Sequence, residues 1–206
     1  MKVTIAATRM ELLKLRRRTQ MAKRGHKLLK DKLDGLIQRF FIIAKDYQKL
    51  VAEIEKDLKE IFSKIVLVQS LMPKEILKEA VLFPKMKSSI AIEETNMMGV
   101  RVPNYKLELA GDPQCYGYAF TTGELDHALS HFSQILPKLI SLASKNKAME
   151  LLSTEIAMVK RRVNALEYIL IPELVASVKF IRMKLSEMER GYLTSLMKIK
   201  DIVRAK

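Results

Sequence analysis

Between Leu33 and Val68 the apolar residues recur at alternating steps of four and three: Leu33, Ile37, Phe40, Ala44, Tyr47, Val51, Ile54, Leu58, Ile61, Ile65 and Val68. An unbroken 4-3 order of this length is a coiled-coil seam, because residues so spaced stay on one side of a helix. No proline occurs before Pro73, and upstream Thr8 with Glu11 has the form of a capping box. The first helix is therefore expected over Thr8–Leu71, roughly 95 Å at about 1.5 Å per residue.

A second seam reads Leu152, Ile156, Val159, Val163, Leu166, Leu170, Leu174, Val178, Ile181, Leu185, Met188 and Tyr192. Its helix is expected to start at a capping box formed by Thr121 and Glu124 and to end near Arg204, with kinks or local breaks at Pro137 and Pro172. From Leu166 to Val178 three consecutive steps of four replace the alternation, an insertion that locally relaxes a left-handed supercoil. Two long helices with seams and one connection are expected to pair antiparallel within the chain. The product is a rod, since a compact globule of this length would have a radius of gyration of only about 17 Å.

The middle breaks both patterns. PKEILKEAVLF predicts a short helix, and SSIAIEETNMMGVRV, alternating around Gly99, predicts a small β-hairpin with Met97 and Met98 at its tip. NYKLELAGDPQCYGY reads as loop through its Pro and Gly punctuation. The expected fold class is mainly α: a long antiparallel two-helix coiled coil with a small middle lobe holding the short helix and the hairpin. Its parts are 1–71, the N-terminal coiled-coil helix; 72–121, the middle lobe, far from the termini; and 122–206, the C-terminal coiled-coil helix.

Charge sharpens this picture. The net charge of +14 is confined to two stretches: 1–32 holds 11 basic and 2 acidic residues, and 178–206 holds 8 and 3. The rest is balanced at 18 of each sign. Antiparallel pairing would gather the whole excess at one end, which calls for an anionic partner.

Candidate chemistry is sparse. None of the seven glycines has the spacing of a G-x-x-x-x-G-K-S/T phosphate loop, so no nucleotide cofactor is expected. His127 and His131 share a helix face but lack an evident third ligand, and read as surface histidines. Glu93 and Glu94, adjacent on a strand, face opposite sides and cannot act as an acid/base pair. A single cysteine, Cys115, gives neither a disulfide framework nor a metal site, and suits a reducing compartment. The five-residue apolar run Val3–Ala7 is too short for a signal-peptide core, and no uncharged apolar stretch spans a bilayer. The 12 methionines read as seam filler or as adaptable contact surface. Gly25, inside a helix, marks either a close approach or a tolerated surface position.

Two segments carry a resemblance. TRMELLKLRRRTQMAKRGHKLLKDK, from Thr8, and KRRVNALEYILIPEL, Lys160 to Leu174, resemble the D subunit of V-type and A-type rotary ATP synthases and ATPases, and the layout of coil, lobe and coil agrees over the whole chain. The resemblance implies a noncatalytic central rotor shaft, without cofactor, that couples ATP synthesis or hydrolysis to proton or sodium ion movement. Its partners would be the catalytic and noncatalytic subunits of a hexameric head, a small central-stalk subunit and a membrane-ring adaptor. It would lie peripherally at the cytoplasmic face of the membrane, without insertion and without nucleic acid. The head-facing tip would be Arg9, Arg16, Arg17, Arg18, Lys23, Arg24, Lys27, Lys198 and Lys200, and the lobe contact Met97, Met98, Val100 and Val102. The alternative from composition alone is a nucleic-acid-binding or scaffolding basic coiled coil, against which stands the lack of aromatic residues among the basic ones.

Overall fold

A computed structural model describes residues 6–82, 85–111, 116–117 and 121–204. Cys115 lies outside the described residues, as do Val3 to Ile5 of the N-terminal apolar run and Phe83 of the short-helix segment. In chain order the elements are α1 (Arg9–Leu71), α2 (Lys74–Leu82), β1 (Lys87–Met97), β2 (Val100–Ala110), α3 (Gly123–Ala165), a π-helical turn (Leu166–Leu170) and α4 (Ile171–Arg204). The chain is mainly α, with long N- and C-terminal helices and one antiparallel hairpin between them.

The chain forms two compact units, one of Met1–Asp34 with Ala157–Lys206 and one of Gly35–Ile156. We call them the basic unit and the hairpin unit. In the basic unit Arg9 meets Glu189 at 2.7 Å and His26 meets Glu167 at 3.3 Å, so the N-terminal part of α1 runs antiparallel to the C-terminal helix. Leu15, Leu174 and Ile181 are buried between them, with Leu12, Ala22, Val178 and Leu185 packed alongside. The hairpin unit has the same sense: Asp57 bonds Lys138 at 2.6 Å, and Lys64 approaches His131 at 3.2 Å. One end of it is closed by Val68, Met72 and Leu125, against which α2 packs Ile76, Leu77 and Ala80.

The α1 seam is withdrawn from solvent at every expected position, with Ile54, Ile61 and Val68 at most 3% exposed. It is wider than expected. Leu36 is fully buried, and Ile43 and Leu50 are half-buried, so a neighbouring 4-3 track through Leu36, Phe40, Ile43, Tyr47, Leu50 and Ile54 is also covered. Three apolar positions per heptad are what a helix needs when it packs on more than one neighbour.

Thr8 caps α1 through its hydroxyl, which accepts the Glu11 N–H at 3.2 Å. The second box is displaced. The α3 helix starts at Gly123, the Thr122 carbonyl accepts the Leu125 N–H, and the Thr121 hydroxyl bonds the Gly117 carbonyl instead of the Glu124 amide. The two prolines also part company: α3 runs through Pro137, whereas Pro172 follows the π turn. There the Ile171 N–H donates to the Leu166 carbonyl, five residues back. A π turn holds one more residue than an α turn. That extra residue is the irregularity in the seam: strict alternation after Leu170 would require 173, 177 and 180, of which Glu173 and Phe180 are exposed, whereas Leu174, Val178 and Ile181 are buried or half-buried.

The hairpin departs most from expectation. Each strand has 11 residues, and β2 includes Asn104 to Ala110, which the Pro and Gly punctuation marked as loop. The strand signal was there in Tyr105-Lys106-Leu107-Glu108, whose odd positions are the half-buried ones.

Candidate functional site

No catalytic constellation is present among the described residues, and no group of three His, Cys, Asp or Glu is placed to hold a metal ion. His131 is engaged by Lys64, and His127 is exposed. Glu93 bonds Lys106 at 2.6 Å, while Glu94 approaches Arg101 at 4.0 Å on the other face of the hairpin. An added Cβ at Gly25 would meet nothing within 4 Å, so no close approach within this chain requires that glycine. Two lysines have a pKa raised above 10.5. Lys138 is raised by its hydrogen bond to Asp57 against some desolvation, with the Asp57 and Glu53 charges adding to it. Lys147 is raised by its hydrogen bond to Glu150 and then by that carboxylate's charge.

The molecule therefore offers surfaces, and the first is electrostatic. The basic unit contains 22 basic and 8 acidic residues, hence the entire net charge of +14, while the hairpin unit contains 15 of each. The 4-3 order of α1 continues upstream of Leu33 through Leu12, Leu15, Thr19, Ala22, His26 and Leu29, all buried or half-buried. Thr and His at two of these positions hide the seam from a search for apolar residues. With the seam so placed, the cations fall outside it: Arg9, Arg16, Arg17, Arg18, Lys23, Arg24, Lys27, Lys198 and Lys200 are all exposed. Arg9 bonds Glu189, and the other eight make no ion pair with a described residue.

Exposed apolar side chains are interleaved with this charge. Met10, Leu13, Met21 and Leu28 stand out from α1. On α4 the seam positions Met188 and Tyr192 are 51% and 67% exposed, and Leu196, Ile199 and Val203 continue the stripe to the end of the helix. Arg9, Leu185, Met188, Glu189, Tyr192 and Leu193 line a shallow groove at its start. The arrangement fits a partner whose surface is acidic with apolar contacts.

The second surface is the hairpin. Its two-residue turn has positive φ at both Met98 (54°) and Gly99 (91°), the type I′ pattern, and the Asn96 side chain accepts the Gly99 N–H at 2.8 Å. The Met98 side chain lies over Gly35 of α1, where an added Cβ would come within 2.6 Å of the Met98 methyl. Further along, the Tyr105 N–H donates to the Ser144 hydroxyl of α3 at 2.8 Å, and that hydroxyl donates in turn to the Ile140 carbonyl at 3.2 Å. Of the four residues expected to form the lobe contact, Met97 and Val100 are half-buried and Met98 is 42% exposed. Val102, at 4% exposed, is buried within the chain. Sequence reasoning missed Gly35 and Ser144. Their signal was a small residue in the buried face of each long helix.

The family profile of the ATP synthase D subunit matches residues 11–201. The D subunit of the V-type ATP synthase of Clostridium botulinum (strain ATCC 19397 / Type A) is 45% identical over 211 residues, covering 100% of this chain and 98% of that protein. Its counterpart from Clostridium novyi (strain NT), also the D subunit of a V-type ATP synthase, is 43% identical over 207 residues, covering 98% of this chain and 96% of that one.

Proposed function

The chain belongs to the family of ATP synthase D subunits, and from that premise we propose that it is the central rotor shaft of a V- or A-type rotary ATP synthase or ATPase, a noncatalytic subunit coupling ATP turnover to proton or sodium ion transport. Membership of the family makes other subunits of such a complex its partners. The finer assignment is that the basic unit engages the catalytic and noncatalytic subunits of a hexameric head, and that the hairpin unit meets the small central-stalk subunit and the membrane-ring adaptor. No helix among the described residues is long and apolar enough to cross a membrane, which suits a peripheral subunit at the cytoplasmic face.

The observation that carries the reading is the partition of charge, with +14 in one antiparallel helix pair and a balanced count in the other unit. A cation-studded helix pair is steered by the long-range field of an acidic cavity. Exposed ion pairs contribute only about 0–1 kcal/mol each, so the charges orient insertion without fixing one angular position. The apolar stripe from Met188 to Val203 supplies contacts that slide without matched partners.

Replacing Arg16, Arg17, Arg18, Lys23 and Arg24 by Gln keeps good helix formers and removes charge outside the seam. The variant should join the head more slowly, with a weaker dependence of the on-rate on salt. Tight, salt-sensitive binding of the parent to duplex DNA, with no association with an ATPase head, would instead favour the nucleic-acid reading.

A further inference from the structure

The two outer edges of the hairpin are treated differently by the rest of the chain. The type I′ turn is closed by the Met97–Val100 pair, so Thr95, Glu93, Ala91 and Ser89 turn their backbone groups inward to the ladder. Glu94, Ile92 and Ile90, paired with Pro103, Tyr105 and Leu107, turn theirs outward. The β2 side confirms the phase, since the Tyr105 N–H points out and bonds Ser144. At Pro103, also an outward position, there is no N–H to leave unsatisfied. The middle of the β2 edge, at Pro103 and Tyr105, is thus closed by a proline and a hydroxyl. The β1 edge has neither. All its residues from Lys87 to Asn96 are exposed, and no described backbone group outside the hairpin bonds to it.

An exposed, regular strand of this length is usually protected by proline, a bulge or inward-pointing charge. Here the register is continuous over 11 pairs without a bulge, and the outward-facing positions carry isoleucine. Ile90 and Ile92 are 53% and 64% exposed, on the same face as Tyr105 and Leu107, which the chain half-buries. That apolar face ends abruptly at the free edge. Next along it, Glu94 keeps a 65% exposed side chain, with Arg101 only at the 4.0 Å limit.

We propose that the outer edge of β1 is a strand-docking site, filled in the assembled complex by an extended segment of another subunit. The occupant supplies alternate N–H and C=O groups to Ile90, Ile92 and Glu94, apolar side chains beside the two isoleucines, and a Lys or Arg opposite Glu94. It deepens the stalk reading and rests on it: the hairpin contact with neighbouring subunits lies along the β1 edge, while the tip is held by Gly35.

The test is residue-resolved hydrogen exchange on the isolated chain and on the complex purified through a tag on this chain. In the isolated chain the amides of Ile90, Ile92 and Glu94 should exchange freely, while those of Ala91, Glu93 and Thr95 are slow. In the complex the outward amides should slow on the order of 100-fold. Ile92→Pro, which places proline at the same kind of position as Pro103, should keep the ladder amides protected yet speed loss of the paired subunit, whereas Ile92→Ala, which keeps the N–H, should have a smaller effect. Outward amides equally fast in chain and complex would overturn the proposal while leaving the stalk reading intact. Concentration-dependent protection in the isolated chain would overturn it in favour of a second copy. Absence of any ATPase complex on the tagged chain would remove the stalk reading and this inference together.

Discussion

The two units pair helices in the same sense on opposite terms. The hairpin unit has a three-per-heptad apolar face on α1, a fully buried Leu152 on α3, and equal numbers of the two charges. The basic unit lets Thr19, Ala22 and His26 into its seam and carries 22 cations against 8 anions. Its apolar layer is therefore thinner, and its like charges oppose compaction. Both units leave apolar side chains exposed, Phe41, Phe62 and Val66 among them in the hairpin unit and Met188, Tyr192 and Leu196 in the basic unit, but only the basic unit sets them among an excess of charge.

The largest effects should come from truncating fully buried seam residues. Ile61→Ala in the hairpin unit and Ile181→Ala in the basic unit start from 2% and 0% exposure. Each should lose about 2–5 kcal/mol in chemical denaturation. Raising salt from about 0.05 M to about 0.5 M should recover part of the loss for Ile181→Ala by screening repulsion, and little for Ile61→Ala. An equal salt response would remove the electrostatic side of the comparison.

The π turn, confined to the basic unit, has two possible causes, the extra seam residue and Pro172. If the residue count is responsible, Pro172→Ala should leave the Ile171 amide bonded to the Leu166 carbonyl and change stability by less than about 1 kcal/mol. Deleting Ile169 in that background should turn the segment into continuous α-helix with the seam still in phase. Hydrogen-bond scalar couplings distinguish the two pairings, and a π turn that vanishes with the proline alone would reverse the assignment.

In the hairpin unit, Gly35→Ala sets a helix-propensity gain of up to about 1 kcal/mol against displacement of Met98. The net change should be small, and in a Met98→Ala background the same substitution should become stabilising by about 0.5–1 kcal/mol. Additive effects would mean that the tip is not seated on Gly35.

The smallest effect concerns Lys138. Its pKa is raised by Asp57, so the stability it contributes is complete below 10.5 and is lost as pH rises through the folded value. Asp57→Asn should bring the Lys138 titration back towards 10.5, read from its side-chain carbon shifts. An unchanged titration would show that the ion pair does not hold the lysine in solution.

How much of this was readable from residues alone depends on the range of the contacts involved. Ile54, Ile61 and Val68 announce themselves, because helix periodicity is a relation among residues three and four apart. The basic unit's seam was harder to see because Thr19 and His26 satisfy the geometry without being apolar. The strand at Tyr105–Leu109 was concealed by Gly111, Pro113 and Gly117 further along, which marked the whole stretch as loop although the register runs to Ala110.

The sequence by itself determined the two helical seams, the slip of one residue beside Pro172, the confinement of charge to the two ends of the chain and, through two segments, the family. All of these are local or compositional. Only the tertiary structure decided where β2 ends, that Thr122 and not Thr121 starts α3, and that the hairpin tip rests on Gly35 and its flank on Ser144. The physical reason is separation: Met98 meets a residue in α1 and Tyr105 one in α3, and no pattern within a few residues of either reports that a hydroxyl or a missing Cβ waits there.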